Sequence, residues 1–165
     1  MTAARVRRRL NGGIRKSLRE LRLQLSLLNH NVGAYVELRD IDLDCLDLIQ
    51  RDGPLNPSLL ARRTGLHPAT VTGILDRLER AGWVSRDRDP VDRRAVIVGA
   101  QRGRSAELLR LYAGMNSSVN RICQRYSEAD LELLLDFLHR AADAGRAATD
   151  DLVSSWEQVP SAPPR

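Results

Sequence analysis

Aromatic side chains make up only 4% of the 165 residues, so aliphatic packing has to carry any core. Cysteine is almost as scarce. Cys45 and Cys123 are too few and too far apart for a disulfide framework, and no Cys-x-x-Cys or comparable spacing marks a zinc site. His30, His67 and His139 form no nucleophile-base pattern, which argues against an enzyme and against a bound metal or cofactor. No stretch approaches the roughly 20 apolar residues that span a bilayer, and the arginine-rich N-terminus is not followed by the apolar core of a signal peptide. Membrane association and export are therefore not expected, and a reducing, cytoplasmic setting is. No internal repeat emerges.

What is present is an ordinary balance of 42% hydrophobic and 28% charged residues, enough for one well-buried core and hardly enough for two. The formal net charge is +5, but its distribution says more than its sum. Residues 1–26 carry Arg5, Arg7, Arg8, Arg9, Arg15, Lys16, Arg19 and Arg22 against Glu20 alone. Residues 55–104 are similarly rich in arginine, whereas residues 27–54 and 127–165 are acidic. Basic charge gathered on an arm and on one central segment is the footprint of a polyanion-binding face, with an unevenly charged solvated surface as the alternative.

Residues 1–13, with Gly12-Gly13 and almost nothing to bury, read as a flexible basic arm, either a solvated tail or a segment that lies along phosphates. From Ile14 to about residue 38 a helix is expected. Leu18, Leu21, Leu25, Leu28 and Val32 recur at helical steps, and Leu23 and Leu27 add a second apolar face, so this helix needs two partners, one of which could be a second subunit. A second helix over 39–51 carries Ile41, Cys45, Leu48 and Ile49 inward, with Asp42, Asp44 and Asp47 pointing elsewhere, and Gly53-Pro54 ends it. Asn56 is an N-cap with Pro57 at the first helical position. Thr64-Gly65-Leu66 makes the next turn.

The helix from Pro68 to Arg80 is the most informative. Val71, Ile74, Leu75 and Leu78 define its buried face, which leaves Ala69, Thr70, Thr72, Gly73, Asp76, Arg77 and Arg80 exposed. Small and hydroxyl-bearing residues on that outer face allow a helix to lie close to base-pair edges. Gly73 in mid-helix costs about 1 kcal/mol relative to alanine, and close approach of a ligand is one reason to keep it. His67, just before this helix, suits a capping or phosphate role. Trp83 to Arg86 reads as a strand, Asp87 to Asp92 as a turn and Ala95 to Val98 as the return strand. Arg86, Arg88, Arg93 and Arg94 on so narrow a ribbon suit a minor groove, with Asp92 as a brace that orients an arginine. A long helix is expected from Arg102 to Tyr126, with Leu108, Leu109, Tyr112, Met115, Val119 and Ile122 inward. Another opens at Ser127 with acidic residues in its first turn and a stripe of Leu131, Leu134, Leu135, Leu138 and Ala142. Residues 157–165 read as a flexible tail.

The fold class expected is thus mainly α with a small β-wing, a winged helix-turn-helix. The combination of Gly53-Pro54-Leu55, Leu60-Ala61, Gly65-Leu66, Pro68-Ala69-Thr70-Val71-Thr72, Leu75-Asp76-Arg77-Leu78-Glu79, Ala81-Gly82-Trp83-Val84 and Asp89-Pro90-Val91-Asp92-Arg93-Arg94 resembles the multiple antibiotic resistance regulator (MarR) family. The resemblance implies a winged helix-turn-helix over 39–101, flanked by dimerisation helices over 14–38 and 102–156. It implies a homodimer joined through Leu18, Leu21, Leu25, Leu131, Leu134 and Leu138, bound to a pseudo-palindromic site in double-stranded DNA. Contacts would come from Pro68, Ala69, Thr70, Thr72, Gly73 and Arg77 in the major groove, and from Arg86, Arg88, Arg93 and above all Arg94 at the wing. It further implies repression relieved by a small aromatic or phenolic effector. Two features depart from the family pattern: Gly73 stands where many relatives carry arginine, and Val98-Gly99-Ala100-Gln101 replaces the common Leu-Thr after the wing, so the start of the following helix is expected to differ.

Asn29, His30, Tyr35 and Cys45 are the candidate lining of a ligand pocket, with an ordinary partly buried histidine as the alternative for His30. Cys45 on an apolar face reads first as an inert buried thiol, and Cys123 similarly, with oxidant sensing as the alternative. A reading from another class keeps the winged helix as a protein-interaction module with the acidic C-terminal helix at its contact surface.

Overall fold

A computed structural model describes residues 2–157, and the chain parts into two units between Asp44 and Cys45. The first unit is dominated by α1 (Ala3–Tyr35). The flexible arm expected over residues 1–13 is, from Ala3 onward, helix: alanine, arginine and leucine are strong helix formers, and they carry the helix through Gly12-Gly13. Only Val32 and Gly33 of α1 are buried. Leu10, Ile14, Leu21, Leu23, Leu25 and Leu27 are all at least 42% exposed, so the apolar faces anticipated from the spacing are uncovered in the single chain.

Beyond α1 the chain turns sharply, with Leu38 N–H donating to the Gly33 carbonyl at 2.9 Å. A Cβ at residue 33 would stand 2.7 Å from the Leu38 carbonyl oxygen, closer than side-chain carbons come, so this turn requires glycine. α2 (Asp40–Asp52) follows and straddles the boundary between the units. Asp42, expected to point away from the packed face, is instead 2% exposed. Arg39 donates to both of its carboxylate oxygens, from Nε at 3.2 Å and Nη2 at 3.3 Å, and this pairing makes burial of the charge tolerable.

The second unit is built from the remainder of α2, then α3 (Pro57–Thr64), α4 (Pro68–Arg80), β1 (Val84–Arg88), β2 (Val96–Ala100), α5 (Arg102–Leu111), α6 (Ala113–Cys123) and α7 (Glu128–Glu157). α3 starts as anticipated: Asn56 Oδ1 accepts from Ser58 N–H at 2.8 Å with Pro57 at the first position. It ends at Gly65 in the left-handed conformation (φ 66°), where the Gly65 N–H reaches back to the Ala61 and Arg62 carbonyls. Val71, Ile74, Leu75 and Leu78 of α4 are each at most 1% exposed, and Cys45, Leu46, Ile49, Leu60, Trp83 and Val98 share that burial. Ala81 closes α4, and β1 pairs antiparallel with β2 in a register from Val84 opposite Ala100 to Arg88 opposite Val96. A further bridge went unread in the sequence. Leu55 pairs with Val98 through N–H donations at 2.9 and 2.8 Å, which ties the α2–α3 connection to the base of the wing.

The single long helix expected from Arg102 to Tyr126 is two. At Tyr112 the backbone stays right-handed but loosens (φ −86°, ψ −1°), and Gly114 two residues on is a poor helix former, so α5 and α6 meet at a one-residue turn. Of the inner face assigned to that stretch, Leu108 is buried but Leu109 is 64% exposed. α7 opens with a reciprocal cap: Ser127 Oγ accepts from Asp130 N–H at 3.2 Å, and Asp130 Oδ2 accepts from Ser127 N–H at 3.2 Å. Leu133, Leu134, Leu135 and Leu138 along it are exposed. The tail expected over 157–165 lies, past Glu157, outside the described residues.

Truncating Leu78 to alanine should lower the free energy of unfolding by about 2–5 kcal/mol in urea, because the side chain is fully enclosed. Asn56→Ala should cost about 1 kcal/mol through the lost cap, and a loss as large as that of Leu78→Ala would show that Asn56 does more than cap α3.

Candidate nucleic-acid interface

The two ends of the helix-turn-helix are pinned by local hydrogen bonds. His67 takes the capping role anticipated for it, its Nδ1 accepting from Ala69 N–H at 3.3 Å ahead of Pro68 at the first position of α4. Because Val71, Ile74, Leu75 and Leu78 are committed inward, Pro68, Ala69, Thr70 and Thr72 are exposed, and Gly73, Asp76 and Arg77 lie half-buried beside them. Thr72 turns its hydroxyl back to the Pro68 carbonyl at 3.0 Å, so it presents chiefly its methyl group outward. The result is a low, nearly side-chain-free surface over the first two turns.

The wing tip is shaped by its aspartates. Asp89 Oδ1 accepts from the N–H groups of Val91 (2.7 Å) and Asp92 (3.2 Å), and Asp92 Oδ1 accepts from Arg94 N–H at 3.0 Å. Asp89 N–H donates to the Ala95 carbonyl at 3.0 Å and closes the loop. Asp92, expected to brace an arginine, therefore acts on the Arg94 main chain. Arg88, Arg93 and Arg94 are exposed, and the guanidinium groups of Arg93 and Arg94 have no hydrogen-bond partner among the described residues.

Arg86 behaves differently from the other wing arginines, because its guanidinium is engaged on α4. Its Nη2 donates to Asp76 at 2.6 Å and its Nη1 to Glu79 at 2.9 Å, both on α4. Geometry explains it: Arg86 sits midway along β1, against α4, where two carboxylates face it. This pairing neutralises acidic charge at the edge of the exposed α4 face and fixes the wing against that helix. A second tie lies at the base of the wing, where the Arg104 guanidinium stands 4.0 Å over the buried Trp83 ring and Gln101 N–H donates to the Trp83 carbonyl at 2.8 Å. Gln101 occupies the cap position of α5 and makes no side-chain cap hydrogen bond. The Arg86 and Arg104 contacts join residues distant in sequence, and no periodicity announces them.

Each of the four residues proposed for a pocket has its own setting. Asn29 donates to Asp44 at 3.3 Å, His30 is within 3.1 Å of Asp40, Tyr35 is 74% exposed, and Cys45 is fully buried. None of the four lines either cavity found along α7. One, of about 1030 Å³, lies between α7 and the α2–α3 corner and includes Leu48, Arg51, Arg63, His139 and Arg146. Asp143, paired with Arg146, and Asp150 line it too, as does Asp52. The hydrogen bond from Arg51 holds the Asp52 carboxyl below the usual carboxylate range, and the nearby charges of Arg63 and Arg146 act in the same direction. The other cavity, of about 850 Å³, is more apolar and lies between Val153 and the turn of the helix-turn-helix at Gly65, Leu66 and Pro68. Cys45 is shut off from solvent and Cys123 is half-buried. Among the described residues no group of three or more His, Cys, Asp or Glu side chains could hold a metal ion.

Comparison with known proteins agrees with this arrangement. A MarR family model matches residues 42–96, from α2 through the wing. The uncharacterized HTH-type transcriptional regulator YcgE of Bacillus subtilis is 33% identical over 125 residues, which cover 76% of this chain and 81% of that protein. The crystal structure of the transcriptional regulator Tm0710 from Thermotoga maritima superposes with a TM-score of 0.59 at 25% identity, over 81% of this chain and 94% of that one. Streptococcus pneumoniae FabT, solved in complex with DNA, shares the fold at a TM-score of 0.64 and 18% identity, over 84% and 99% of the two chains. These likenesses and the capped helix-turn-helix with its arginine-tipped wing agree: the chain belongs to the MarR family of helix-turn-helix transcriptional regulators.

Proposed function

We propose that this DNA-binding regulator works as a homodimeric repressor on a pseudo-palindromic operator, with α4 in the major groove and the wing in the minor groove, acting in the cytoplasm. The observation that carries the reading is the pairing of a bare, small-residue face on α4 with a wing whose Arg93 and Arg94 are held outward by a main chain that Asp89 and Asp92 fold. Arginine at such a tip suits the strongly negative potential of a narrow minor groove. The DNA complex of FabT supports the placement by likeness of fold. Dimerisation is supported by the leucines that α1 and α7 leave uncovered, Leu21, Leu25, Leu134 and Leu138 among them, since a regulator with that much apolar surface on two long helices is not expected to remain alone. A two-fold dimer in turn calls for two half-sites about one helical turn apart.

Release by an effector is assigned to the larger cavity along α7. Arg51 and Arg63, both paired with Asp52, and Arg146, paired with Asp143, suit a small aromatic ligand with a phenolate or carboxylate, which would displace one of those carboxylates and shift α7 against α3.

Arg94→Ala should weaken operator binding by roughly 1–3 kcal/mol and lower the dependence of log affinity on log salt by about one charge, with fold and dimer intact. Arg86→Ala should also weaken binding, yet leave the salt slope unchanged, because its charge is spent on Asp76 and Glu79. Equal slopes for wild type and Arg94→Ala would remove the wing arginine from the groove. Leu134→Asp combined with Leu138→Asp should yield monomers by sedimentation, and a persistent dimer would move the interface off α7. A panel of aromatic acids and phenols should contain members that release the operator from wild type and act only weakly on Arg146→Ala. Equal release from both would place the effector elsewhere.

A further inference from the structure

Cations along the first two-thirds of α1 share one side of the helix. At about 100° per residue, Arg8, Arg15 and Arg22 form a row, with Arg19 and Arg5 beside it and Lys16 and Arg9 beyond, while Arg7 falls on the apolar side. All of them are exposed. The stripe of Leu10, Ile14, Leu21 and Leu25 lies opposite, and past Arg22 the basic side gives way to Leu23 and Leu27. A helix that is merely solvated interleaves carboxylates at three- and four-residue steps. Here those steps join like charges, Arg5 to Arg9, Arg15 to Arg19 and Arg19 to Arg22, and the one carboxylate among them, Glu20, accepts from Gln24 Nε2 at 2.9 Å. Among the described residues none of these cations is in an ion pair, whereas Arg39, Arg51, Arg63, Arg86 and Arg140 all are. α1 also opens on Thr2 without a side-chain cap hydrogen bond and has no acidic residue in its first turn, where Arg5 stands against the helix dipole. A bound polyanion relieves both the repulsion and the dipole penalty.

We infer that the basic side of α1 is a second duplex-binding surface, which holds DNA phosphates without reading bases, in addition to the helix-turn-helix. From Arg8 to Arg22 is about 21 Å of helix, a length over which each strand of a duplex carries about six phosphates. All but Lys16 are arginine, whose planar fork takes phosphate oxygens in pairs. A lipid surface fits less well, because an interfacial helix must lay its apolar stripe in the bilayer and anchors there with Trp or Phe, of which α1 has none. The assignment rests on the DNA-binding reading, since the helix-turn-helix brings the duplex to the molecule.

The test is to measure affinity over a range of salt for the duplex that wild type selects from a random pool and for a scrambled duplex of the same length. Arg8→Gln, Arg15→Gln and Arg22→Gln combined should weaken binding to both by about 10- to 100-fold at moderate salt and lower the salt slope by about three charges per chain, with the ratio between the two duplexes unchanged. Glutamine forms helix nearly as well as arginine, so circular dichroism and the sedimenting mass should stand. The pair Arg15→Gln and Arg22→Gln should lower the slope by about two charges, a graded response that melting of the helix does not give. The same three positions changed to lysine should keep the wild-type slope. So should Arg110→Gln, Arg121→Gln and Arg125→Gln combined, which removes equal charge from α5, α6 and the turn after α6. An unchanged slope in the α1 triple variant, beside a lowered one in Arg94→Ala, overturns the inference and leaves the operator reading standing. Equal losses in the α1 and control triples overturn it in favour of overall charge, and a loss confined to the selected duplex overturns it in favour of base reading. It is also overturned if the α1 triple keeps its duplex affinity but, unlike wild type, fails to bind vesicles containing phosphatidylglycerol. A wild type that binds neither duplex takes the DNA-binding reading and the inference down together.

Discussion

Helix α4 can offer a face to a ligand only because its opposite face is committed. Val71, Ile74, Leu75 and Leu78 occur at consecutive helical steps and are almost wholly withdrawn from solvent, so rotation of α4 about its axis would expose at least two of them. At roughly 1.5–3 kcal/mol for each fully buried aliphatic side chain, that rotation is forbidden. The caps at Asn56 and His67 then set where α3 and α4 begin, and Gly65 sets the turn between them. Every outward residue of α4 inherits its direction from those buried ones.

Charge is divided with equal economy. Of the arginines on β1, the wing tip and α5, Arg86 and Arg104 face the protein, one clamped by Asp76 and Glu79 and the other stacked on Trp83, while Arg88, Arg93, Arg94, Arg102 and Arg110 are exposed. The inward pair holds the wing against α4 and α5 and the outward set supplies potential. Acidic residues are placed by the same logic: Asp89 and Asp92 fold the tip by accepting main-chain N–H groups, which draws their charge toward the backbone and leaves the guanidinium groups outside it.

Much of this was legible in the sequence, and what was legible was local. Caps, the turn at Gly65, the buried stripe of α4 and the ribbon with its basic tip each depend on residues within a few positions of one another. The failures share the opposite property. Composition places Arg86 with the other wing arginines and cannot show that Asp76 and Glu79, seven to ten residues away, face it. A carboxylate on a helix is ordinarily solvated, so the sequence points Asp42 outward, and its burial beneath Arg39 depends on how the chain packs. The turn at Tyr112 interrupts an apolar period that continues on both sides, so periodicity passes straight over it. The helix over residues 3–13 was missed for a different reason, since it buries almost nothing and is favoured by intrinsic propensity alone.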